Sequence, residues 1–479
     1  MVGFGLRLKT HFTWLPRVVE LVFTVREWRN VNHHEAHALM GYFSSPFRSA
    51  LVLSYDGGGN DGVFNVFLAQ GMGLCGQELW RIARKPLNLG YLAEQGEQGV
   101  GYHRLASYLP QVTGASEIGI AACAALEKVS TLSCILRAYP QKVYGEDAEG
   151  DWINLKYNFG DSLALTFAGK LMGYSGLAQP SEEAGCVSFG RTHGSGILAD
   201  QVPRAMLEKI CESEFGCQTA VPSIPASCLT HQNCKVMTEY LDELVRNKIS
   251  VEGIVITGGC ALNVIVNQLI RDTLTEATSE QPNLSKPQEV YVPPAPNDSG
   301  LTVGGIWSVS PPTGARQKLQ YLGFRLWDVE ALDATAHERG ARRLSELGGV
   351  DFLAQLLADP EGKRPILAVV RGRQEFGPRA LGHRSLLAVP DSRKLRDRMN
   401  RLKFRQWYRP VAPMIAEEAL EEVFGHRYLS PSMEFAPKVR EEVLERFPAL
   451  AHFDGTARHQ SVSRGDEPWV LVAALARRS

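Results

Sequence analysis

Three histidines and a glutamate lie within five consecutive positions of the segment NVNHHEAHALM, residues 30–40. A helix places His33 and His37 on one face, because they are four residues apart, and that spacing suits two ligands of one metal ion. The zinc-peptidase motif HExxH is excluded, since its glutamate must directly follow the first histidine of such a pair and His34 stands there instead. Two histidines alone leave a purely structural role equally open.

Two aspartates close to glycines are further candidates for a ligand set. Asp56 ends an apolar run and is followed by Gly57, Gly58 and Gly59, whose backbone N–H groups can approach a phosphate closely. Asp298 lies in the segment NDSG, before another predicted helix. The alternatives are an Asp-Gly hairpin turn at the first site and a helix N-cap at the second.

The segment TGGCALN, residues 257–263, joins a predicted strand to a predicted helix and contains Gly258, Gly259 and Asn263. Backbone amides at such a junction, together with the helix dipole, can hold an anion. The segment lacks the Walker lysine and the GxGxxG spacing, so neither a P-loop nor a Rossmann site is indicated.

Basic residues are dense around a glycine-rich loop in the C-terminal part and just after it. They are Arg371, Arg373, Arg379, Arg384, Lys403, Arg405 and Arg409. Guanidinium groups bind phosphate or carboxylate through two parallel hydrogen bonds. The alternative is a solvated basic helix, which accounts for most of the charges in residues 393–401. Sparse aromatic residues and a balanced total charge argue against a nucleic-acid surface.

The composition limits the class of protein. The chain has 479 residues, 44% of them hydrophobic and 22% charged, which is typical of a soluble globular protein of two or three domains. The net charge of −1 gives no bias towards nucleic acid or anionic membranes. Nine cysteines without a CxxC pair favour a reducing, cytoplasmic location. No apolar run reaches the roughly 18 residues of a membrane span.

Hydrophobic patterns predict an α/β architecture, in which strands alternate with helices across glycine turns. A helix is predicted over residues 15–29, and a glycine-turn hairpin over residues 49–71. Strand, turn and helix follow over 251–274, and strand, loop and helix over 289–307.

The C-terminal part is predicted to begin after an interdomain linker over residues 310–325. A strand, loop and strand are predicted over 364–392, and a basic helix over 392–410. No internal repeat is visible.

Eight segments together resemble the O-carbamoyltransferase family, whose members act in nodulation-factor, cephamycin and tobramycin biosynthesis. They occur in the family's order and span most of the chain, and EFGPRALGHRS is highly specific by itself. The segments are VNHHEAHA (31–38), SYDGGGNDG (54–62), AGKLMGYSGLA (168–178), GGCALN (258–263), PPAPNDSG (293–300), GRQEFGPRALGHRSLLAVP (372–390), NRLKFRQWYRPVAPMI (400–415) and HFDGTARHQSV (452–462).

The resemblance implies an α/β fold of two modules. An N-terminal duplicated actin/sugar-kinase-like (Kae1-like) domain is expected over residues 1–318, followed by a YrdC-like twisted α/β sheet domain over 319–479. The second module would make a carbamoyl adenylate from ATP and carbamoyl phosphate. The first would pass the carbamoyl group to a hydroxyl of a small-molecule acceptor, and the selectivity for that acceptor is expected in residues 85–250.

The resemblance also implies roles for individual residues. His33, His37, Asp56 and Asp298 match the family's catalytic metal ligands, for a divalent ion that is expected to be Fe(II), with Zn(II) as the alternative. Glycines and an amide would cradle the nucleotide, namely Gly57, Gly58, Gly59, Gly258, Gly259 and Asn263. Arg379, Lys403, Arg409 and Arg458 match positions that hold ATP phosphates and the carbamoyl donor, and Arg405 completes a Lys-x-Arg pair. His34 and Glu35 are both open as a base for the acceptor hydroxyl.

Two family features are not found, an N-terminal hairpin with an HD motif and a C-terminal NTSFN-like segment. Both complete sites in the family, so we expect a chain that is truncated at both ends. One alternative is therefore a fragment that binds metal and nucleotide without turnover. Another is tRNA threonylcarbamoylation, against which the fused modules and the EFGPRALG segment argue. A homodimer and the absence of a membrane partner are further expectations.

Overall fold

The computed structural model describes residues 14–72, 76–85, 172, 240–244, 246–280, 289–313, 318–325, 328–358, 365–403, 405 and 408–466. These form two compact units, of which the first holds the described residues within 14–85 and 240–313 and the second holds residue 172 and those within 318–466. The matching segment at 168–178, apart from residue 172, and most of the region 85–250 lie outside the described residues.

A mixed five-stranded sheet forms the centre of the first unit, with the strand order β3-β2-β1-β4-β5. Strands β1, β4 and β5 are parallel, whereas β2 and β3 are antiparallel to their neighbours. The predicted hairpin is confirmed, with Gly59 opposite Gly62 at its turn. The strands are β1 (Ser49–Gly59), β2 (Gly62–Met72), β3 (Gly76–Lys85), β4 (Gly253–Thr257) and β5 (Glu289–Tyr291).

The first unit contains a short helical segment over residues 240–246 (245 is not described) and four further helices, two of which pack on each other beside the sheet. The strand–helix successions predicted over 251–274 and 289–307 are confirmed. The prediction over 15–29 is wrong beyond residue 22, where the β-branched Thr24 and Val25 are poor helix formers. The helices are α1 (Trp14–Val22), α2 (His33–Ser44), α3 (Val264–Glu280) and α4 (Leu301–Val309).

The core of the first unit lies between α2 and the sheet. Tyr42, Phe43 and Val52 are buried there. Trp307 of α4 packs edge-on against Phe43, with ring centroids 5.8 Å apart. The two helices approach closely at Gly304, where a Cβ would overlap the backbone carbonyl oxygen of Ala36. This contact fixes the position of α2 relative to the segment that precedes α4.

The second unit combines two small sheets with five described helices. Strands β6 (Leu367–Val370) and β7 (Arg384–Leu387) confirm the predicted strand, loop and strand, and they pair antiparallel. Strands β8 (Met414–Ala416) and β9 (Gln460–Val462) are parallel. Among the described residues, no helix is both long enough and apolar enough to cross a bilayer. The helices are α5 (Val329–Glu338), α6 (Val350–Ala358), α7 (Arg393–Leu402), α8 (Leu420–Phe424) and α9 (Glu441–Arg446).

Two sequence predictions in the second unit need correction. The basic helix over 392–410 is wrong beyond Leu402, because the Asn400 side chain donates to the Arg409 carbonyl and turns the chain back. The linker over 310–325 is also too long, because its last residues belong to the second unit. There the Gly323 N–H donates to the Gln374 carbonyl at 3.0 Å.

We predict that Gly304→Ala destabilises the first unit. The new Cβ would force α2 and α4 apart, at a cost of about 1–3 kcal/mol, which exceeds the roughly 1 kcal/mol that alanine gains in a helix interior. Thermal unfolding followed by circular dichroism measures the effect. Gly465→Ala is the control, since a Cβ there meets no atom within 4 Å. Equal unfolding temperatures for the two variants would contradict the prediction.

Candidate metal centre and anion site

The structure brings together the four side chains that the sequence proposed as metal ligands. His33, His37, Asp56 and Asp298 each offer one ligand atom, and these atoms all lie within 4.8 Å of one another. The two imidazole Nε2 atoms are 3.2 Å apart. His37 Nε2 lies 3.1 Å from Asp56 Oδ2 and 3.5 Å from Asp298 Oδ1. His33 Nε2 lies 3.5 and 3.6 Å from the same two oxygens.

The cluster lies at the carboxyl edge of the parallel strands. Asp56 is near the end of β1, and Asp298 follows the loop that leaves β5. Carboxyl ends of parallel strands meet at one edge of a sheet, which is where ligands of α/β proteins bind. The turn after β4 joins this edge to the loop, because the Gly258 N–H donates to the Pro296 carbonyl at 2.8 Å.

The hairpin turn orients the helix that carries the histidines. The N-cap residue of α2, Asn32, makes no capping hydrogen bond with its own side chain. Instead the Asn60 and Asp61 side-chain oxygens accept the His33 and His34 backbone N–H groups, at 2.8 and 3.0 Å. These bonds satisfy two of the N–H groups that a helix start leaves open. Sequence reasoning missed this role, although the NDG turn is rich in capping residue types.

Asp56 joins the histidines to the glycine turn after β4. Its Oδ2 accepts the Gly259 N–H at 2.9 Å in addition to its contacts with both imidazoles. Burial opposes ionisation of Asp56, but His33 and His37 hold the pKa of this carboxyl well below its usual range. Burial alone would lower the pKa of His37, yet the carboxylates of Asp298 and Asp56 raise it to about 9.

The four side chains fit a divalent metal ion. Four ligands around one ion at about 2.1 Å in tetrahedral geometry are roughly 3.4 Å apart, close to the separations between the imidazole nitrogens and the carboxylate oxygens. Asp298 Oδ1 is buried without a hydrogen bond, as expected for an atom that serves as a ligand. The donor set of two imidazoles and two carboxylates suits Fe(II) or Zn(II) and does not choose between them.

His34 has a structural role, although it is adjacent to the cluster. Its Nδ1 is 2.8 Å from Ser54 Oγ and its Nε2 is 2.9 Å from the Gly62 carbonyl oxygen. Burial lowers the pKa of His34 to about 4, which keeps the ring neutral at physiological pH. Both nitrogens are engaged, so His34 does not serve as the base considered from the sequence.

The proposed nucleotide-cradling residues are distributed around the same edge of the sheet. Gly57, Gly58 and Gly59 end β1, and Gly258 and Gly259 follow β4. Gly258 has φ +93°, and a Cβ there would overlap the Tyr55 carbonyl oxygen, so only glycine suits this position. Asn263 accepts the Val266 N–H through its Oδ1, which caps the start of α3.

The second unit gathers the five cations proposed for phosphate binding, which we call the cation cluster. They are Arg379, Lys403, Arg405, Arg409 and Arg458. Burial, followed by the positive charges of Arg379, Arg405 and Arg409, holds the pKa of Arg458 well below its usual range. Burial is also the first cause for Lys403, whose pKa is further lowered by Arg405, Arg458 and Arg409. The Nε atom of Arg458 is buried without a hydrogen-bond partner. Mutual repulsion and an unmet donor are the features of a site that is built to receive an anion.

Other arginines from the same sequence segment have structural roles. Arg373 donates to the Gly323 carbonyl at 2.9 Å, and Arg384 pairs with Glu375 at 2.9 Å. These two differ from Arg379, whose pKa is lowered to about 10 by burial and by Arg409. The structure therefore separates arginines that the sequence showed only as one dense group.

A buried acid that the sequence analysis missed acts on the cation cluster. Glu434 raises the pKa of Arg379, against the effects of burial and Arg409. Its carboxylate accepts the Ser432 N–H at 2.9 Å and the Ser430 hydroxyl at 3.0 Å. Burial outweighs these bonds and raises the pKa of Glu434 to about 7. The preceding residue, Met433, has the left-handed φ of 64°, a strain that recurs at functional sites.

Comparison with protein families gives two matches. The model described as Carbamoyltransferase N-terminus matches residues 221–306, and the model described as Carbamoyltransferase C-terminus matches residues 354–478. The first match includes Asp298 and the turn after β4. The second includes the whole cation cluster.

Curated relatives cover different shares of the chain. Nodulation protein U of Rhizobium tropici is 36% identical over 215 residues, which are 44% of this chain and 33% of that protein. Nodulation protein NolO of Bradyrhizobium diazoefficiens is 27% identical over 468 residues, which are 94% of this chain and 71% of that protein. The chain thus matches about a third of the length of the nodulation protein U relatives.

Among solved structures, HypF of T. kodakarensis is similar to 62% of this chain and 38% of its own, at 15% identity. Its TM-score is 0.32, so the likeness carries no argument about this chain.

We predict that Gly59→Ala weakens metal binding. A Cβ on residue 59 would lie 2.7 Å from His33 Cβ and 2.8 Å from His33 Cγ, which displaces the imidazole from the other three ligands. Zn(II) affinity, measured by competition with a chromogenic chelator, should fall by about tenfold or more. Gly465→Ala should leave the affinity unchanged. An unchanged affinity in Gly59→Ala would show that His33 is not a ligand.

We predict that Glu434→Gln changes how stability depends on pH. The folded pKa of Glu434, about 7, lies above its unfolded value, so the folded state binds more protons between about pH 4.5 and 7. Stability from this group is therefore lost as pH rises through that window, by up to about 1.4 kcal/mol per pH unit. The variant should gain unfolding temperature relative to the unaltered chain between pH 5 and 8.

The exposed Glu421→Gln is the control for removal of a surface charge. Parallel unfolding profiles of the unaltered chain and Glu434→Gln across this pH range would contradict the assignment.

Proposed function

Because the chain belongs to the carbamoyltransferase family, we propose that it transfers a carbamoyl group to a hydroxyl of a small-molecule acceptor, using ATP and carbamoyl phosphate. The observation that carries the proposal is the presence of two sites with different chemistry in one chain. The first unit holds the compact cluster of two imidazoles and two carboxylates, and the second holds the cation cluster.

The cation cluster supports the activation step. Carbamoyl phosphate, ATP and water would give a carbamoyl adenylate, pyrophosphate and phosphate. Charge on the polyphosphate increases as pyrophosphate leaves, and fixed guanidinium groups in a buried site stabilise that charge without reorganising. Arg379, Arg405 and Arg458 are suited to this role, because burial and repulsion disfavour their charges until an anion is bound.

The metal centre supports the transfer step. His33, His37, Asp56 and Asp298 would hold a divalent ion, Fe(II) or Zn(II), which when bound supplies a Lewis acid for phosphate and acyl oxygens. The chain's own contribution is positioning. Asp56 fixes the Gly259 N–H beside the cluster, and the glycines at the end of β1 and after β4 would let the backbone approach a nucleotide phosphate.

Several finer features belong to the same proposal. The first unit would be an actin/sugar-kinase-like domain with an internal duplication, and the second a YrdC-like domain, divided at residues 318 and 319. The mixed sheet with its site at the carboxyl edge supports the first assignment. A cytoplasmic location, a homodimer and acceptor selectivity in residues 85–250 remain predictions.

The decisive experiment separates the two steps with two variants. His33→Ala/His37→Ala should lose stoichiometric Zn(II) or Fe(II) binding and carbamoyl transfer, yet still release pyrophosphate from ATP and carbamoyl phosphate. Arg458→Ala should lose pyrophosphate release and keep the metal. Radiolabelled carbamoyl phosphate, offered with a panel of sugars and aminoglycosides, reports transfer. The exposed His337→Ala is the control for loss of a histidine.

The outcomes distinguish the proposal from the alternatives. ATP binding by the unaltered chain without pyrophosphate release would support a binding protein without turnover. Normal metal content in His33→Ala/His37→Ala would overturn the metal centre. Pyrophosphate release that survives in Arg458→Ala would overturn the role of the cation cluster.

A further inference from the structure

One buried carboxylate holds the loop between β6 and β7. The Glu375 side chain is fully buried. Its Oε1 accepts three backbone N–H groups, from Leu381 at 2.8 Å and from His383 and Arg384 at 3.0 Å each. Its Oε2 accepts the Arg384 Nε–H at 2.9 Å. We call this set of four hydrogen bonds the Glu375 clasp.

The clasp is strong because every bond involves a charged group. Burial opposes ionisation of Glu375, but the Leu381 N–H, Arg384 and the other donors lower the pKa of this carboxyl below its usual range. Glu375 is therefore ionised at neutral pH, and hydrogen bonds to an ionised acceptor are roughly twice as strong as neutral ones. Loss of the carboxylate would leave three backbone N–H groups without their acceptor.

The clasp closes a small loop that has Arg379 in its middle. The chain leaves Glu375, passes through residues 376–380 and returns to the same carboxylate at Leu381. Two further bonds fasten the returning end, because the Leu381 carbonyl accepts from Tyr321 Oη at 2.9 Å and from Gln460 Nε2 at 3.1 Å. The backbone that carries Arg379 is thus fixed at both ends.

Arg379 needs such a fixed backbone, because the other cations of the cluster repel it. Burial and the charge of Arg409 both lower its pKa, against the opposing effect of Glu434, and its charge in turn lowers the pKa of Arg405 and Arg458. A free loop would relax this repulsion by moving Arg379 away from the cluster. An anionic anchor at the base of the loop, bonded to backbone rather than to the cations of the cluster, prevents that movement.

We propose that Glu375 is a positioning residue for polyphosphate binding, acting through the backbone of the loop that carries Arg379. The proposal rests on the proposed function of the cation cluster and adds a residue that does not touch the anion. The proposal requires energetic coupling between Glu375 and Arg379. If Glu375 acts through Arg379, its substitution has no effect on anion binding once the Arg379 side chain is absent.

The test is a double-mutant cycle with Glu375→Ala, Arg379→Ala and the combined variant. Binding of inorganic triphosphate is measured by calorimetry, and KM and kcat for ATP by pyrophosphate release. Glu375→Ala should weaken triphosphate binding and raise KM by about tenfold, with a smaller change in kcat. The combined variant should bind no more weakly than Arg379→Ala alone.

Further variants control for folding. Glu375→Gln keeps an acceptor oxygen for the three N–H groups and should recover part of the affinity, even where Glu375→Ala does not fold. The exposed Glu421→Ala removes a carboxylate elsewhere and should change neither quantity. Thermal unfolding followed by circular dichroism reports whether the second unit of each variant is folded.

Two results would overturn the proposal. One is a combined variant whose fold-loss in triphosphate affinity equals the product of the two single losses, which indicates that Glu375 has a merely structural role. The other is unchanged triphosphate affinity in folded Glu375→Ala or Glu375→Gln. If the unaltered chain binds triphosphate but releases no pyrophosphate, the proposed function fails while the cycle still decides the role of Glu375. If it binds no triphosphate, both ideas fail.

Discussion

The arrangement of the first unit depends on the Asp56 carboxylate. This side chain contacts His33 and His37 of α2 and accepts the Gly259 N–H of the turn after β4. Helix α2, strand β1 and a turn about 200 residues further along the chain therefore converge on one largely buried charge. The cost of removing this carboxylate from water is offset locally, since two imidazoles and a backbone amide take the place of its water molecules.

In the second unit, by contrast, the buried charges are positive and repel one another. Its cation cluster concentrates positive charge in a partly buried place, where burial and then mutual repulsion lower the pKa of Arg379, Arg405 and Arg458. Hydrogen bonds to the backbone hold the segments that carry these charges in place. Glu375 fixes the loop of Arg379, and Asn400 holds the carbonyl of Arg409. Such a site offers an anion several positive charges that the surrounding backbone holds close together.

Much of the fold could be predicted from local patterns. The hairpin of β1 and β2 followed from apolar runs around glycines, and the strand–helix units at β4 and β5 from a buried run before a glycine or proline loop. Helix ends were predicted less well. The helix α7 ends at Leu402 because Asn400 bonds to the Arg409 carbonyl, and no local propensity reveals that contact.

The sequence by itself supplied the candidate ligands, since the spacing of His33 and His37 indicated a pair, and the resemblance to the O-carbamoyltransferase family joined Asp56 and Asp298 to it as one set of four. Only the tertiary structure decided that these groups lie within 4.8 Å of one another, because parallel pairing of β1 with β4 joins residues about 200 positions apart. It also decided that His34 is structural and that Arg384 belongs to a clasp. The residue type fixes the chemistry of a side chain, whereas its burial and its hydrogen-bond partners depend on tertiary contacts that sequence spacing does not reveal.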